Sequence, residues 1–310
     1  MTQGRLYIVV PNFPTNEYTA ARAENFRVWL AKNRSPLGNA HDLTVTDVEL
    51  RAEGVYVLGS GATIQFSPPP LAVSKRRGRK EASRGTPKGL ALRLALQIIL
   101  DEVDRAGVVE RNNTYIVQVD ASGAFDFNSI HVILDTLLDE GRGLDVVLGR
   151  RPGADRLMGS EDRVQVELFE EYLVETVVKG RSPSDMAPMY ADTQAGCWGL
   201  RCSALERLSL TAPAYELEFD LFCSALMSGV RVDLSEDLIP GTRIGPSGVS
   251  NVLQSGKKDH SVEVRKLPFI AHKLRLDTLS MRGALERYIT SGGRLPEGYI
   301  SMVQELYPSL

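Results

Sequence analysis

The chain has 310 residues, enough for one large α/β domain or two modest ones. Hydrophobic residues make up 43% and charged residues 24%, and the formal net charge of −3 excludes a global basic field that would draw the protein to nucleic acid or anionic lipid. No run approaches the roughly 20 apolar residues of a membrane span, and Cys197, Cys202 and Cys223 have neither zinc nor disulfide spacing, so free thiols in a cytoplasmic protein with no transmembrane segment are expected.

Arg5-Leu-Tyr-Ile-Val-Val10 is a continuous β-prone run, the mark of a strand buried on both faces. The turn-rich segment from Pro11 to Glu17 closes it. A helix follows with Ala21, Phe26, Trp29 and Leu30 as its inner face, and Arg34-Ser-Pro-Leu-Gly38 is expected to break it. Leu43–Val48 and Val55–Leu58 read as two short strands around Gly54. Ser67-Pro-Pro-Pro70 is extended. The basic run Lys75, Arg76, Arg77, Arg79, Lys80, Arg84 and Lys88, punctuated by glycines, reads as a loop leading into a helix from Gly89 to Arg105. Leu90, Leu94, Ile98 and Val103 are core-facing candidates there. The run has no interleaved aromatic residues, so it does not suit single-stranded nucleic acid.

The clearest unit begins at Thr114. Thr114-Tyr-Ile-Val-Gln-Val-Asp120 is a strand ending in an acid, and Asn128 is placed to cap a helix. In that helix Ile130, Ile133, Leu134, Leu137 and Leu138 fall on one face, and Leu144–Leu148 is the next strand. Strand, helix and strand at these lengths predict a right-handed βαβ crossover. Ligands of such sheets sit at the carboxyl ends of the strands, where Asp120 and Gly149-Arg-Arg151 would lie. A helix over Arg163 to Lys179, a loop with Pro183 and Pro188, a helix over Glu216 to Met227 and a strand over Val230 to Leu234 follow. Gly241 to Lys258 is loop-like, and a helical tail runs from about Ala271, offering a surface for a homodimer.

Six of these segments, in order, resemble the family 2 glycosyltransferases near the polyprenyl-phosphate mannose and glucose synthases. They are Val9-Val-Pro11 with Asn16-Glu17, Lys88-Gly-Leu-Ala-Leu-Arg93, Val119-Asp-Ala-Ser122, Leu148-Gly-Arg-Arg151, Asp192-Thr-Gln-Ala-Gly196 and Glu216-Leu-Glu-Phe-Asp220. The resemblance implies a GT-A fold with a mostly parallel central sheet flanked by helices. Residues 1–240 would form the nucleotide-sugar-binding and catalytic domain, with 241–310 a C-terminal loop and helical tail packed on it. It implies a hexosyltransferase-like enzyme that moves a sugar from a nucleotide-diphosphate donor to an acceptor, a small molecule or a lipid phosphate. Pro11, Asn16, Glu17, Arg84, Lys88, Asp120, Ser122, Arg150 and Arg151 would border the donor. The second acid of the family's Asp-x-Asp motif is Ser122 here, and its early Asp-Asp-Gly-Ser segment is not recognisable; Asp47 or the Leu58-Gly-Ser-Gly61 turn stands in that region.

The chemistry explains these residue types. A departing diphosphate needs its developing charge stabilised, usually by one Mg²⁺ or Mn²⁺ on carboxylates. Asp120 is the ligand candidate; its alternative is to cap the loop before Asn128. A water, Ser122 or Asp126 would complete the shell, and His260 is either a late ligand or a solvated loop histidine. Lys88 and Arg84 border a glycine-rich helix start of the kind that favours phosphate. Arg150, Arg151 and Arg163 clamp an anion or form a solvated edge. Asp192, Glu218 and Asp220 are candidates for the base that activates an acceptor hydroxyl, or, for the last two, the acidic first turn of a helix. Trp198 stacks on a sugar or fills the core. Two competing readings are a sugar-phosphate nucleotidyltransferase and a catalytically inactive GT-A-like scaffold. The first calls for a glycine-rich loop with Arg after the first strand, which Pro11-Asn-Phe-Pro14 does not supply.

Overall fold

The computed structural model describes residues 4–11, 17–51, 54–58, 64–66, 88–107, 111–120, 125–150, 161–179, 196–212, 216–239 and 261–308. In chain order these form β1 (Gly4–Pro11), α1 (Glu17–His41), β2 (Leu43–Arg51), β3 (Gly54–Leu58), β4 (Ile64–Phe66) and α2 (Lys88–Ala106). Next come β5 (Thr114–Val119), α3 (Ser129–Leu138), β6 (Val146–Arg150), α4 (Glu161–Lys179), β7 (Cys197–Arg201) and α5 (Cys202–Leu205). The chain continues through α6 (Leu217–Met227), β8 (Val232–Asp237), α7 (Ser261–Leu274), α8 (Thr278–Thr290) and α9 (Glu297–Leu306).

The eight strands form one sheet in the order β4-β3-β2-β1-β5-β7-β6-β8. Six of them run the same way, and β3 and β7 run against the rest. The expected α/β class, a mostly parallel sheet flanked by helices, is what the chain adopts. The βαβ crossover predicted from Thr114 to Leu148 is modified in one respect. β5 and β6 run parallel with α3 between them in sequence, but β7 returns from far along the chain and pairs antiparallel with both.

Strict alternation along the strands explains why both faces are covered. Leu6, Ile8 and Val10 of β1, with Tyr115, Val117 and Val119 of β5, face α1 and α3. Tyr7, Val9, Ile116, Leu148, Trp198 and Leu200 face the other way, in a core that includes residues of α2, α4 and α6. Leu267, Ile270, Leu274, Met281, Leu285, Tyr299 and Val303, from the three C-terminal helices, belong to that second core. Each fully buried side chain of this kind contributes about 1.5–3 kcal/mol.

Several local expectations are corrected. α1 does not break at Arg34-Ser-Pro-Leu-Gly38 but carries Pro36 within it and runs on to His41. Tertiary contacts outweigh the proline there. Leu37 is fully buried, and Arg34 reaches across to β2 through the Val45 carbonyl and the Asp47 carboxylate. Pro36 itself is exposed, as is Lys32, the residue one turn earlier whose carbonyl loses its N–H partner. On the inner face Phe26 and Leu30 are buried and Trp29 half-buried, whereas Ala21 is exposed. Asn128 does not cap α3 with its side chain; its Oδ1 accepts the Trp29 Nε1–H at 2.9 Å and ties α3 to α1. β4 and β7 are additions to the strands that the sequence pattern predicts.

The α1–α3 seam carries a pH-sensitive group. His131 lies edge-on to Trp29 at 6.1 Å between ring centroids. Burial lowers its pKa from the usual value, with nearby His41 adding to the shift and Asp135 opposing it. The folded protein therefore binds a proton at His131 less readily than the unfolded chain. The stability it contributes is full above the ordinary histidine pKa and is lost as pH falls through the lowered one. His131→Phe is expected to show a smaller fall in melting temperature between pH 7 and pH 5 than the parent, measured side by side. Equal falls would remove His131 from the pH response.

Candidate functional site

The carboxyl ends of the parallel strands gather the first group of expected site residues. β1 and β5 pair with Val9 opposite Gln118. Two residues further along each strand, Pro11 and Asp120 therefore leave the sheet at the same end. Pro11 is buried. Arg150 closes β6 at that end, and because β7 is antiparallel its first residues lie there too.

Asp120 is half-buried and held from three directions. Its N–H donates to the Gly196 carbonyl at 3.0 Å, extending the β5–β7 pairing by one step. Its Oδ1 accepts the Gln118 Nε2–H at 2.9 Å. Its Oδ2 lies over Gly196, where a Cβ on that residue would stand 2.6 Å away. Gly196 has φ +71°, a left-handed conformation that glycine adopts without strain. The last residue of Asp192-Thr-Gln-Ala-Gly196 is thus folded onto the acid of Val119-Asp-Ala-Ser122. Burial, with the charge of Asp120 adding, pushes the adjacent Cys197 thiol far above its usual range. Burial likewise raises Cys202 to about 11 and Cys223 to about 12, so all three cysteines are inert thiols at neutral pH.

Gly149, next to last in β6, is another position near this end of the sheet where a side chain cannot fit. A Cβ there would come within 2.5 Å of the Cys197 carbonyl oxygen, and the β6–β8 register shifts between Leu148 and Arg150. Arg150 follows, but it is engaged by β8: its Nε donates to Asp237 Oδ1 at 2.6 Å, and Glu236 lies 3.6 Å from its outer nitrogen. About two-fifths of this side chain remains exposed.

The remaining expected residues separate by environment. Asp47 lies within β2 rather than at its carboxyl end and is buried. Arg34 Nη2 binds it at 2.5 Å, so this carboxylate is committed to joining α1 to the sheet. Asp126, one of three alternatives for completing a shell around Asp120, accepts the Asn128 N–H on its Oδ1 at 2.8 Å in a turn that opens α3. Asp220 on α6 is fully buried. One of its oxygens accepts the backbone N–H groups of Thr211 and Ala212, and the other meets Lys273 Nζ at 2.7 Å and the Ser224 hydroxyl at 3.2 Å. That arrangement anchors a loop and a helix and leaves no lone pair directed at a substrate. Glu218 is 5% exposed on the same helix. Trp198 is 1% exposed and belongs to the core, which decides between its two expected roles. Lys88 is the first residue of α2, and Gly89 after it is buried. Asn16, Arg84, Ser122, Arg151, Asp192 and His260 lie outside the described residues, as does the position of the Glu17 side chain.

Sequence reasoning missed Gln118. Its position in an apolar strand, two residues before the acid on the same face, was the available signal. Among the described residues no group of three or more His, Cys, Asp or Glu side chains is placed to hold a metal ion. Asp120 offers carboxylate oxygen, the donor type that suits a hard cation such as Mg²⁺ or Mn²⁺, and the missing Cβ of Gly196 leaves room for its Oδ2. No helix among the described residues is long and apolar enough to cross a membrane.

No protein-family model matches the chain, and no curated protein matches it. Among solved structures it is similar to glucosyl-3-phosphoglycerate synthase from Mycobacterium tuberculosis, determined in complex with Mn²⁺ and uridine-diphosphate-glucose. The overlap covers 88% of this chain and 80% of that one at 13% identity, with a TM-score of 0.42. A likeness this loose carries no argument about chemistry.

Proposed function

We propose that the chain is a GT-A-type glycosyltransferase that moves a sugar from a nucleotide-diphosphate donor to an acceptor. One observation carries the reading. Two of the segments that carry the resemblance, Val119-Asp-Ala-Ser122 and Asp192-Thr-Gln-Ala-Gly196, meet through Asp120 and Gly196 at the carboxyl end of the sheet. Ligands of open α/β sheets bind at that end. The strand order supports it, because the antiparallel β7 delivers Gly196 beside Asp120 from a distant part of the chain.

Breaking the bond between sugar and diphosphate leaves negative charge on the departing group, and fixed opposing charge lowers that barrier. A bound Mg²⁺ or Mn²⁺ would supply Lewis-acid stabilisation of the leaving diphosphate. Asp120 would hold it, with Ser122 and His260 as the other expected ligands. Pro11, Asn16 and Glu17 would line the donor from the end of β1. Lys88, the first residue of α2, would receive phosphate together with the helix N-terminus, and Arg84 lies just ahead of it in sequence. Arg150 closes β6 at the same end of the sheet, and Arg151, next to it in sequence, would border the donor with it. For a hydroxyl acceptor, Asp192 and Glu218 are the carboxylates proposed to take the proton; a lipid phosphate is already ionised and needs none. Residues 1–240 would form this catalytic unit, with 241–310 packed on it.

The test is a thermal-shift screen of UDP, GDP, CDP and dTDP and their sugars, each with and without Mn²⁺. A ligand that binds only the native state raises its melting temperature by mass action. One nucleotide is expected to give a metal-dependent shift that Asp120→Ala abolishes. A shift that survives this substitution would place the donor elsewhere. No shift with any nucleotide near millimolar concentration would favour a non-catalytic scaffold.

A further inference from the structure

Gln118 occupies a position that the fold makes apolar. On its face of the sheet it follows Ile116 along β5 and stands in register with Val9 of β1 and Trp198 of β7, all members of one core. Its side chain is fully buried. A buried amide is unfavourable unless both of its ends are bonded, and only one end is. Nε2 donates to Asp120 Oδ1 at 2.9 Å, while Oε1 has no hydrogen-bond partner. The Nε1–H of Trp198, its register partner, has none either. A methionine would fill the same space without an orphaned acceptor, so burial alone gives no reason for an amide here. What the amide does have is one charge-assisted bond to a carboxylate at the sheet's ligand end.

We propose that Gln118 is a positioning residue that fixes the orientation of the Asp120 carboxylate toward a divalent cation. By holding Oδ1 it sets the rotamer that lays Oδ2 over the bare α-carbon of Gly196. Partners behind a metal ligand orient it and sharpen its affinity, and removing one commonly weakens metal binding 10–100-fold. The inference rests on the reading of Asp120 as the cation's carboxylate, and the experiment separates the two.

Mn²⁺ binding would be titrated by electron paramagnetic resonance in the parent, Gln118→Met and Asp120→Ala, with the metal-free melting temperature of each. For Gln118→Met the expected result is Mn²⁺ affinity weaker by about tenfold or more, with a melting temperature equal to or above the parent's, because the orphaned acceptor is gone. A purely structural glutamine would lose both together, and that outcome overturns the proposal. Unchanged Mn²⁺ affinity in Gln118→Met, with binding lost in Asp120→Ala, overturns the role of Gln118 and leaves Asp120 in place. Unchanged affinity in Asp120→Ala overturns the Asp120 reading itself, and the positioning role with it. Should Gln118→Met fail to fold, Gln118→Asn, which keeps the amide but falls one methylene short of Asp120, is expected to weaken Mn²⁺ in the same way.

Discussion

Asp220→Ala is expected to lower the free energy of unfolding by about 3–5 kcal/mol, the range for breaking a buried ion pair from one side. The carboxylate is fully buried, and Lys273 opposite it is 11% exposed. The pair joins α6 to α7. The same carboxylate also accepts the Thr211 and Ala212 amides ahead of α6. Alanine leaves an ammonium group with the Ser209 carbonyl for company and two amides with no acceptor. Urea unfolding of the parent and variant measures the loss as a shift in midpoint at constant slope. Asp220→Asn keeps one oxygen for the amides and should lose less. In whatever fraction remains folded, the metal-dependent nucleotide shift should persist, since Asp220 is not directed at the ligand end of the sheet. An unmoved midpoint would mean that the pair adds nothing to stability. Loss of the nucleotide shift at full stability would return Asp220 to the active site.

Gly196→Ala should damage stability and metal binding together, and unequally. Its φ of +71° is a conformation that costs an L-residue roughly 1–2 kcal/mol. Its new Cβ would stand 2.6 Å from Asp120 Oδ2, closer than real contacts allow. Either the carboxylate rotates off Gln118, or the Asp120 N–H···O=C Gly196 bond of 3.0 Å opens. Both routes remove the oxygen from the place where a cation would find it. The expected result is a folded protein with a lowered melting temperature and no Mn²⁺-dependent nucleotide shift. Gly196→Asn separates the causes. Asparagine tolerates left-handed backbone better, so it should unfold later than the alanine variant, yet its Cβ crowds Asp120 just as much and the shift should still be absent. A retained shift in both variants would show that Asp120 does not need the space.

The parts legible in the sequence are those where one local pattern dominates. β1 and β5 announce themselves as unbroken β-prone runs, because both faces of a central strand are covered and no polar alternation is required. α2, α4 and α6 are found to within a residue or two. Long-range contacts hid the rest. Arg34-Ser-Pro-Leu-Gly38 carries every local mark of a helix end, and contacts distant in sequence, the burial of Leu37 and the reach of Arg34 to Val45 and Asp47 among them, hold the helix through Pro36. Cys-Trp-Gly-Leu-Arg is too short and too mixed to read as a strand, and β7 exists because β5 and β6 leave a strand-wide gap for it. The acids show the same division. Asp120 could be singled out because it ends an apolar strand. The pairing of Asp47 with Arg34 depends on a helix meeting a strand, and that of Asp220 with Lys273 on two helices meeting, which residue type and spacing do not encode.

The placement of β7 also bears on how the chain is made. As the polypeptide leaves the ribosome, β6 emerges with neither of its neighbours, since both β7 and β8 lie later in the sequence. β5 can pair with β1 at once, but its other edge stays bare until Cys197 arrives opposite Val119. A nascent chain halted before β7 therefore displays three unpaired apolar strand edges, the kind that join to other chains. Insertion of β7 between β5 and β6 and assembly of the Asp120–Gly196 contact are one late event in synthesis, and a chain that stalls short of it keeps those edges open.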